Sequence, residues 1–109
     1  MTIYEIEYNS TYFETLNQII EFKLIYEGLS FDVLEFQKLM NGYLAKLSYF
    51  PNRNPILKTR KCSNIMRKYT INNYVFIYKV KKTIVIVYAV FNKIQNIEIN
   101  FEKLFGNEA

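Results

Sequence analysis

The sequence predicts an α+β domain in two layers, built from an N-terminal strand, an antiparallel helical hairpin and a three-stranded antiparallel meander. Three observations carry this. From Asn64 to Phe91, three runs rich in Ile, Val, Tyr and Phe are separated by the pairs Asn72-Asn73 and Lys81-Lys82, the spacing of tight antiparallel hairpins. Before them, two stretches repeat apolar residues every three or four positions and are joined by the short Gly28-Leu29-Ser30. The first eight residues alternate in polarity.

The strand is expected over Thr2 to Tyr8, with Ile3, Glu5 and Glu7 on one face and Tyr4, Ile6 and Tyr8 on the other. Either Ser10 or Thr11 then serves as N-cap, and Glu14 completes a capping box with Thr11. The first helix is expected over Tyr12 to Glu27, with Tyr12, Leu16, Ile19, Ile20, Phe22 and Tyr26 as its apolar positions and Gly28 as the left-handed terminator. Ser30 caps a second helix from Phe31 to about Tyr49, whose stripe Val33, Phe36, Met40, Tyr43 and Leu47 reads as core packing. Pro51 and Pro55 bracket a stretch that cannot remain helical.

Ile56 to Ser63 reads as a basic surface connector, with Lys58, Arg60 and Lys61 placed for phosphate contact. In the first meander strand Ile65, Arg67, Tyr69 and Ile71 oppose Met66, Lys68 and Thr70; in the second Tyr74, Phe76 and Tyr78 oppose Val75, Ile77 and Lys79. The third strand is apolar throughout, so it is covered on both faces or central in its sheet. The helices cover one face. The other is expected to be a shallow concave surface ringed by Arg and Lys, unless the segment after Asn92 lies over it; Ile94, Ile97, Ile99, Phe101 and Leu104 there fit a strand or a helical turn equally.

At 109 residues, half of them apolar, the chain is long enough for one core and is expected to be a single domain over its whole length. The longest apolar run, Ile84 to Phe91, is far too short to span a bilayer as a helix, and the N-terminus has no basic segment followed by an apolar one. A cytoplasmic protein without a membrane partner is therefore expected. The single cysteine, Cys62, excludes an internal disulfide, and the absence of His removes the commonest general base and metal ligand; no metal and no cofactor is expected.

Charge is divided unevenly. Residues 1–50 hold seven acids against three Lys, whereas residues 51–109 hold eleven Lys and Arg against Glu98, Glu102 and Glu108, and no acid lies between Glu35 and Glu98. Such a division points to a polyanionic partner, either nucleic acid or an acidic protein segment. Lys79, Lys81 and Lys82 join the connector cations as candidate contacts, and aromatics interleaved with bases, as in Arg67-Lys68-Tyr69, suit stacking on unpaired bases.

Cleavage of RNA by its own 2′-OH needs a base, a group that stabilises the phosphorane charge, and an acid for the leaving oxygen. Arg67, Lys68 and Lys93 are the candidates for the phosphate, and Tyr69 or Tyr74 for the acid. No Gly-rich phosphate loop, nucleophile elbow or carboxylate pair accompanies them.

The order of elements from Ile3 to Asn96 resembles the RelE/ParE superfamily of toxins from type II toxin–antitoxin modules. The most specific stretch is MRKYTINNYVFIYKVKKTIVIVYAVFN, Met66 to Asn92, which resembles the family's basic strand, two-residue turn, Tyr followed by a hydrophobic run ending in Ile-Tyr, charged turn and β-branched strand. The helix Phe31 to Tyr49 ending in SYFPNRNP is similar to the ParE-like branch.

The resemblance implies a cytoplasmic toxin neutralised by a cognate antitoxin with an acidic segment. It also implies metal-independent mRNA cleavage on the ribosome, with catalytic candidates Arg67, Lys68, Lys93 and Tyr74, or, in the ParE-like branch, inhibition of DNA gyrase without catalysis. The nuclease pattern is degenerate: Val75 follows Tyr74 where the family carries Arg, Asn92-Lys93 stands where it often carries His or Arg, and Ile99 stands in place of its C-terminal Tyr. A non-toxic RNA-binding domain is the third class the charge pattern allows.

Overall fold

Alternation and turn chemistry together build the sheet. The computed structural model describes residues 2–57 and 65–94; Lys58, Arg60, Lys61 and the apolar positions beyond Ile94 lie outside the described residues. Strands β2 (Arg67–Ile71), β3 (Tyr74–Lys81) and β4 (Ile84–Asn92) form the antiparallel meander, and β1 (Glu5–Tyr8) pairs parallel with β4. The order is β1-β4-β3-β2, so the sheet is mixed and four-stranded, not a meander alone, with β4, apolar from Ile84 to Phe91, inside it.

The first turn lies at Asn72-Asn73, where Asn72 takes φ 51°, a conformation Asn tolerates better than other side chains. The second is Lys82-Thr83, one residue later than expected: Lys81 still pairs with Ile84, and Lys82 supplies the positive φ of 57°. Between Ile77 and Tyr78 the register slips, pairing Ile77 with Ala89 but Tyr78 with Val87 and bulging the chain at Tyr88.

Helix α1 (Ser10–Glu27) starts from neither Ser10 nor Thr11 as cap. Asn9 is the cap, its side-chain oxygen accepting from the Thr11 N–H at 3.1 Å. Two threonines of the first turns tie the helix to the bulge. The Thr11 hydroxyl lies 2.8 Å from the Tyr88 carbonyl, and the Thr15 hydroxyl accepts from the Val90 N–H at 3.0 Å while donating to the Tyr12 carbonyl at 2.8 Å. Backbone groups of β4 at the bulge and beyond the end of β1 thus find partners on the helix. Tyr12, Leu16 and Ile20 are buried, whereas Phe22 and Tyr26, expected to share that stripe, are exposed.

At the helix end Gly28 takes φ 61° with ψ −134°, an extended mirror conformation rather than the left-handed helical one, and its N–H donates to the Leu24 carbonyl. Ser30 does not cap the second helix; its hydroxyl donates to the Glu27 carbonyl at 2.6 Å, closing the first. Asp32 caps α2 (Val33–Ala45) instead, accepting from the Glu35 N–H at 3.1 Å. The helix tightens into a 3-10 turn at Lys46–Ser48, short of Tyr49, and Pro51–Arg53 forms another with Pro in its first turn, so the Pro-rich stretch is not wholly non-helical.

Both helices cover one face of the sheet. Phe36, Met40, Leu44 and Leu47 meet Tyr12, Leu16 and Ile20 and the inward side chains Tyr74, Phe76, Tyr78, Val85, Val87 and Val90. Leu44, absent from the expected stripe, is fully buried. On the opposite face Val75, Ile77, Ala89 and Phe91 form a smaller buried cluster with Met66 and Leu57. The centre of that face is therefore apolar rather than an open basic concavity. Leu57 is also an exception to the surface placement expected for the connector.

Candidate partner interface on the sheet

Arg67 stands at the start of β2, opposite Tyr78 on β3. Its guanidinium donates to the Asn54 carbonyl at 2.7 Å, the Asn54 amide donates to the Tyr78 hydroxyl at 3.0 Å, and that hydroxyl donates to the Pro51 carbonyl. Backbone bonds continue the join: Leu57 N–H to the Met66 carbonyl at 2.7 Å, Lys68 N–H to the Pro55 carbonyl at 3.0 Å, and a bridge between Ile56 and Arg67. The half-buried Arg67 thus fastens the Pro-containing connector to the sheet. Burial pushes the Tyr78 hydroxyl above the ordinary tyrosine range, against the lowering by its Asn54 bond and the Arg67 charge, so it is un-ionised at neutral pH.

Alternation sends Lys68 to the outer face. There it lies opposite Ile77, and Lys79 is its diagonal neighbour, at the roughly 7–8 Å expected of such pairs. The Lys79 ammonium sits 5.5 Å from the centroid of the Tyr88 ring, held by its π-face at the bulge. Lys81 follows on the same face and Lys82 begins the turn, both exposed. Lys68, Lys79 and Lys81 therefore form a row along one end of the outer face, beside the apolar cluster. The ion pairs Lys23–Glu27 at 3.4 Å and Lys38–Glu35 at 3.8 Å belong to the helical hairpin, and Glu5 and Glu7 of β1 share the outer face with the row, in register with Ile84 and Ile86 of the intervening β4.

The four catalytic candidates do not converge. Tyr74 begins β3 beside the first turn, buried on the helix side with its ring 5.8 Å from Phe36. Four ladder positions, about 13 Å, separate it from the Arg67–Tyr78 pair. Lys93 is exposed at the Tyr74 end, its backbone N–H donating to the Asn73 carbonyl at 2.8 Å, and Lys68 faces the other way. Tyr69 stacks on Phe76 at 6.2 Å, and burial raises its hydroxyl pKa, as it does for Tyr8 and Tyr12. A raised pKa makes a tyrosine a poorer acid at neutral pH.

Sequence reasoning missed Tyr78 and Asn54 as a structural hub. The signal for it was a tyrosine in the middle of an inward-facing row of β3, a residue whose hydroxyl needs a partner when buried. Among the described residues no group of three or more His, Cys, Asp or Glu is placed to hold a metal, and no helix is long and apolar enough to cross a membrane. No protein-family model, curated protein or solved structure matches the chain.

Proposed function

We propose that the chain is the toxin of a type II toxin–antitoxin module, of the RelE/ParE kind, and that it engages a polyanionic target in the cytoplasm through Lys68, Lys79, Lys81 and Lys82. The single observation that carries this reading is the cationic row on the outer end of the sheet, on strands β2 and β3 that hold no acid, with Glu5 and Glu7 standing two strands away on β1. The element order, strand, helical hairpin, Pro-containing connector and antiparallel hairpins, supports it as well. In this reading an acidic segment of the cognate antitoxin covers the row and neutralises the toxin.

The dispersal of Arg67, Lys68, Tyr74 and Lys93 favours inhibition by binding, as in gyrase inhibitors, over ribosome-dependent mRNA cleavage. Expression without an antitoxin is expected to arrest growth, and the Lys79→Glu, Lys81→Glu double variant to relieve the arrest with an unchanged circular dichroism spectrum. Primer extension on translated messages and plasmid supercoiling by purified gyrase separate the targets. New 5′ ends at A-site codons, lost in Arg67→Ala or Lys93→Ala, would establish cleavage, whereas slowed supercoiling would establish gyrase. Unimpaired growth at full expression would sink the toxin reading and leave an RNA-binding domain.

A further inference from the structure

The two 3-10 turns that follow α2 bring aromatic rings and a cation to one place. Tyr4, Tyr49, Phe50, Pro51, Asn52 and Arg53 line a cavity of about 210 Å³. Pro51 is buried, whereas Tyr49 and Phe50 are 48% and 54% exposed. The Arg53 guanidinium lies 5.2 Å from the centroid of the Phe50 ring and makes no hydrogen bond or ion pair with any described residue. Phe50 thus holds a planar cation at the rim with its N–H donors open to a ligand.

We propose that this cavity takes one unpaired base of a single-stranded nucleic acid, the base packing against the Tyr49 and Tyr4 rings while Arg53 meets an adjoining phosphate. Its volume is below the roughly 300–1,000 Å³ of pockets for drug-sized ligands, which suits one flat ring system rather than a larger molecule. Asn52 on the wall offers an amide donor and acceptor to a base edge. Stacking on aromatic rings tolerates any sequence, because every base has a π-face.

Place and charge select the partner. The Tyr4 N–H donates to the Ser48 carbonyl at 2.8 Å and the Glu5 N–H to the Thr83 carbonyl at 3.0 Å, so the cavity borders the turn made by Lys82 and Thr83. The bond from the Tyr78 hydroxyl to the Pro51 carbonyl fixes the segment on the helix side of this same end of the sheet. Lys81 and Lys82 are exposed there, and Lys79 and Lys68 continue the row on the outer face. Glu5, the acid next to Tyr4 in the chain, belongs to the outer face and not to the cavity wall. An acidic peptide would satisfy the lysines and leave the rings unused, whereas a nucleotide strand supplies phosphates and flat rings together.

The inference does not rest on the toxin reading. A short single strand carrying one 2-aminopurine, made as RNA and as DNA, is expected to bind the full chain at low salt with quenching of that base's fluorescence. The tighter of the two identifies the sugar. Tyr49→Ala should weaken binding about 10-fold and abolish the quenching with an unchanged circular dichroism spectrum. Tyr49→Phe keeps both, and Tyr26→Ala, 72% exposed on α1, leaves both as they were. Arg53→Ala should lower the slope of log affinity against log salt by about one. An abasic sugar in place of the reporter base should lose as much as Tyr49→Ala, and the two together no more than either. Polyglutamate bound as tightly as the oligonucleotide overturns the proposal in favour of a protein partner, and AMP bound as tightly overturns the strand in favour of a free nucleotide. Binding indifferent to Tyr49→Ala overturns it outright. Quenching without growth arrest would remove the toxin reading and leave the pocket.

Discussion

The two faces of the sheet use the same strands differently. On the helix side Phe76, Tyr74 and Tyr78 share a core with side chains from both helices, and a polar network beside it joins Tyr78, Asn54 and Arg67. On the outer side Val75, Ile77, Ala89 and Phe91 make a smaller cluster that ends where Lys79 crosses Tyr88. Consecutive residues of β3 thus serve two cores of unequal size. The difference teaches that strand alternation assigns side chains to faces but leaves open how large a core each face supports.

Adjacent substitutions on β3 test that inequality most strongly. Phe76 and Ile77 are both fully buried, one on each face. Phe76→Ala is expected to cost about 4 kcal/mol and Ile77→Ala about 3 kcal/mol, from lost transfer energy and the cavity left behind. Urea denaturation of the two variants reads the difference. Equal midpoint shifts would mean that the outer cluster is packed as tightly as the helix-side core.

Next in size is the polar network. Tyr78→Phe removes the hydroxyl that donates to the Pro51 carbonyl and accepts from the Asn54 amide, leaving both groups in a largely buried place. The expected loss is about 1–3 kcal/mol. Arg67→Ala should cost a similar amount by freeing the Asn54 carbonyl. If the double variant loses no more than either single one, the two residues act as one clasp; full additivity would mean that they hold the connector separately.

Much of this architecture was legible because local chemistry and tertiary context agree. Asn72-Asn73 announces its turn since Asn accepts positive φ, and the alternation through Tyr74, Phe76 and Tyr78 places the inward face. Where the two part, the reading slipped. Lys81-Lys82 has no turn chemistry, so the ladder sets the turn, one residue on. Ser10, Thr11 and Ser30 are as good caps by type as Asn9 and Asp32, and only the path of the chain selects among them. The parallel partner of β1 has no sequence signal, because parallel pairing is decided by the crossover of both helices. At the site, alternation already sends Arg67 and Lys68 to opposite faces, while the distance along the strands to Tyr74 and Lys93 depends on the register, which the sequence does not carry.

A smaller effect, of opposite sign, comes from Tyr12. Its hydroxyl is buried on the helix side and has no hydrogen-bond partner among the described residues. Tyr12→Phe should therefore raise stability by up to about 1 kcal/mol. Burial, with a lesser contribution from Tyr8, holds the Tyr12 pKa well above its ordinary 10.0. The folded chain keeps that proton after the unfolded chain has lost it. Below about pH 10 both states keep the proton, so full stability is present there, and it falls as pH rises toward the folded value. Thermal melts between about pH 8 and 11 should show the wild type losing stability above pH 10, and Tyr12→Phe should flatten part of that loss.

The smallest expected change separates stability from binding on the outer face. Lys79 is only half-buried and its ammonium meets Tyr88, an exposed-type cation–π contact worth about 0.5–1 kcal/mol. Lys79→Gln keeps most of the aliphatic stem and removes the charge, so the midpoint of urea unfolding should move by no more than that contact. Binding of an acidic peptide at low salt should fall severalfold, and the difference should close as salt is raised past about 0.5 M, where screening acts within a few ångströms. A loss of stability without a change in binding would reverse the assignment, making Lys79 a lid on the outer cluster rather than part of a cationic row.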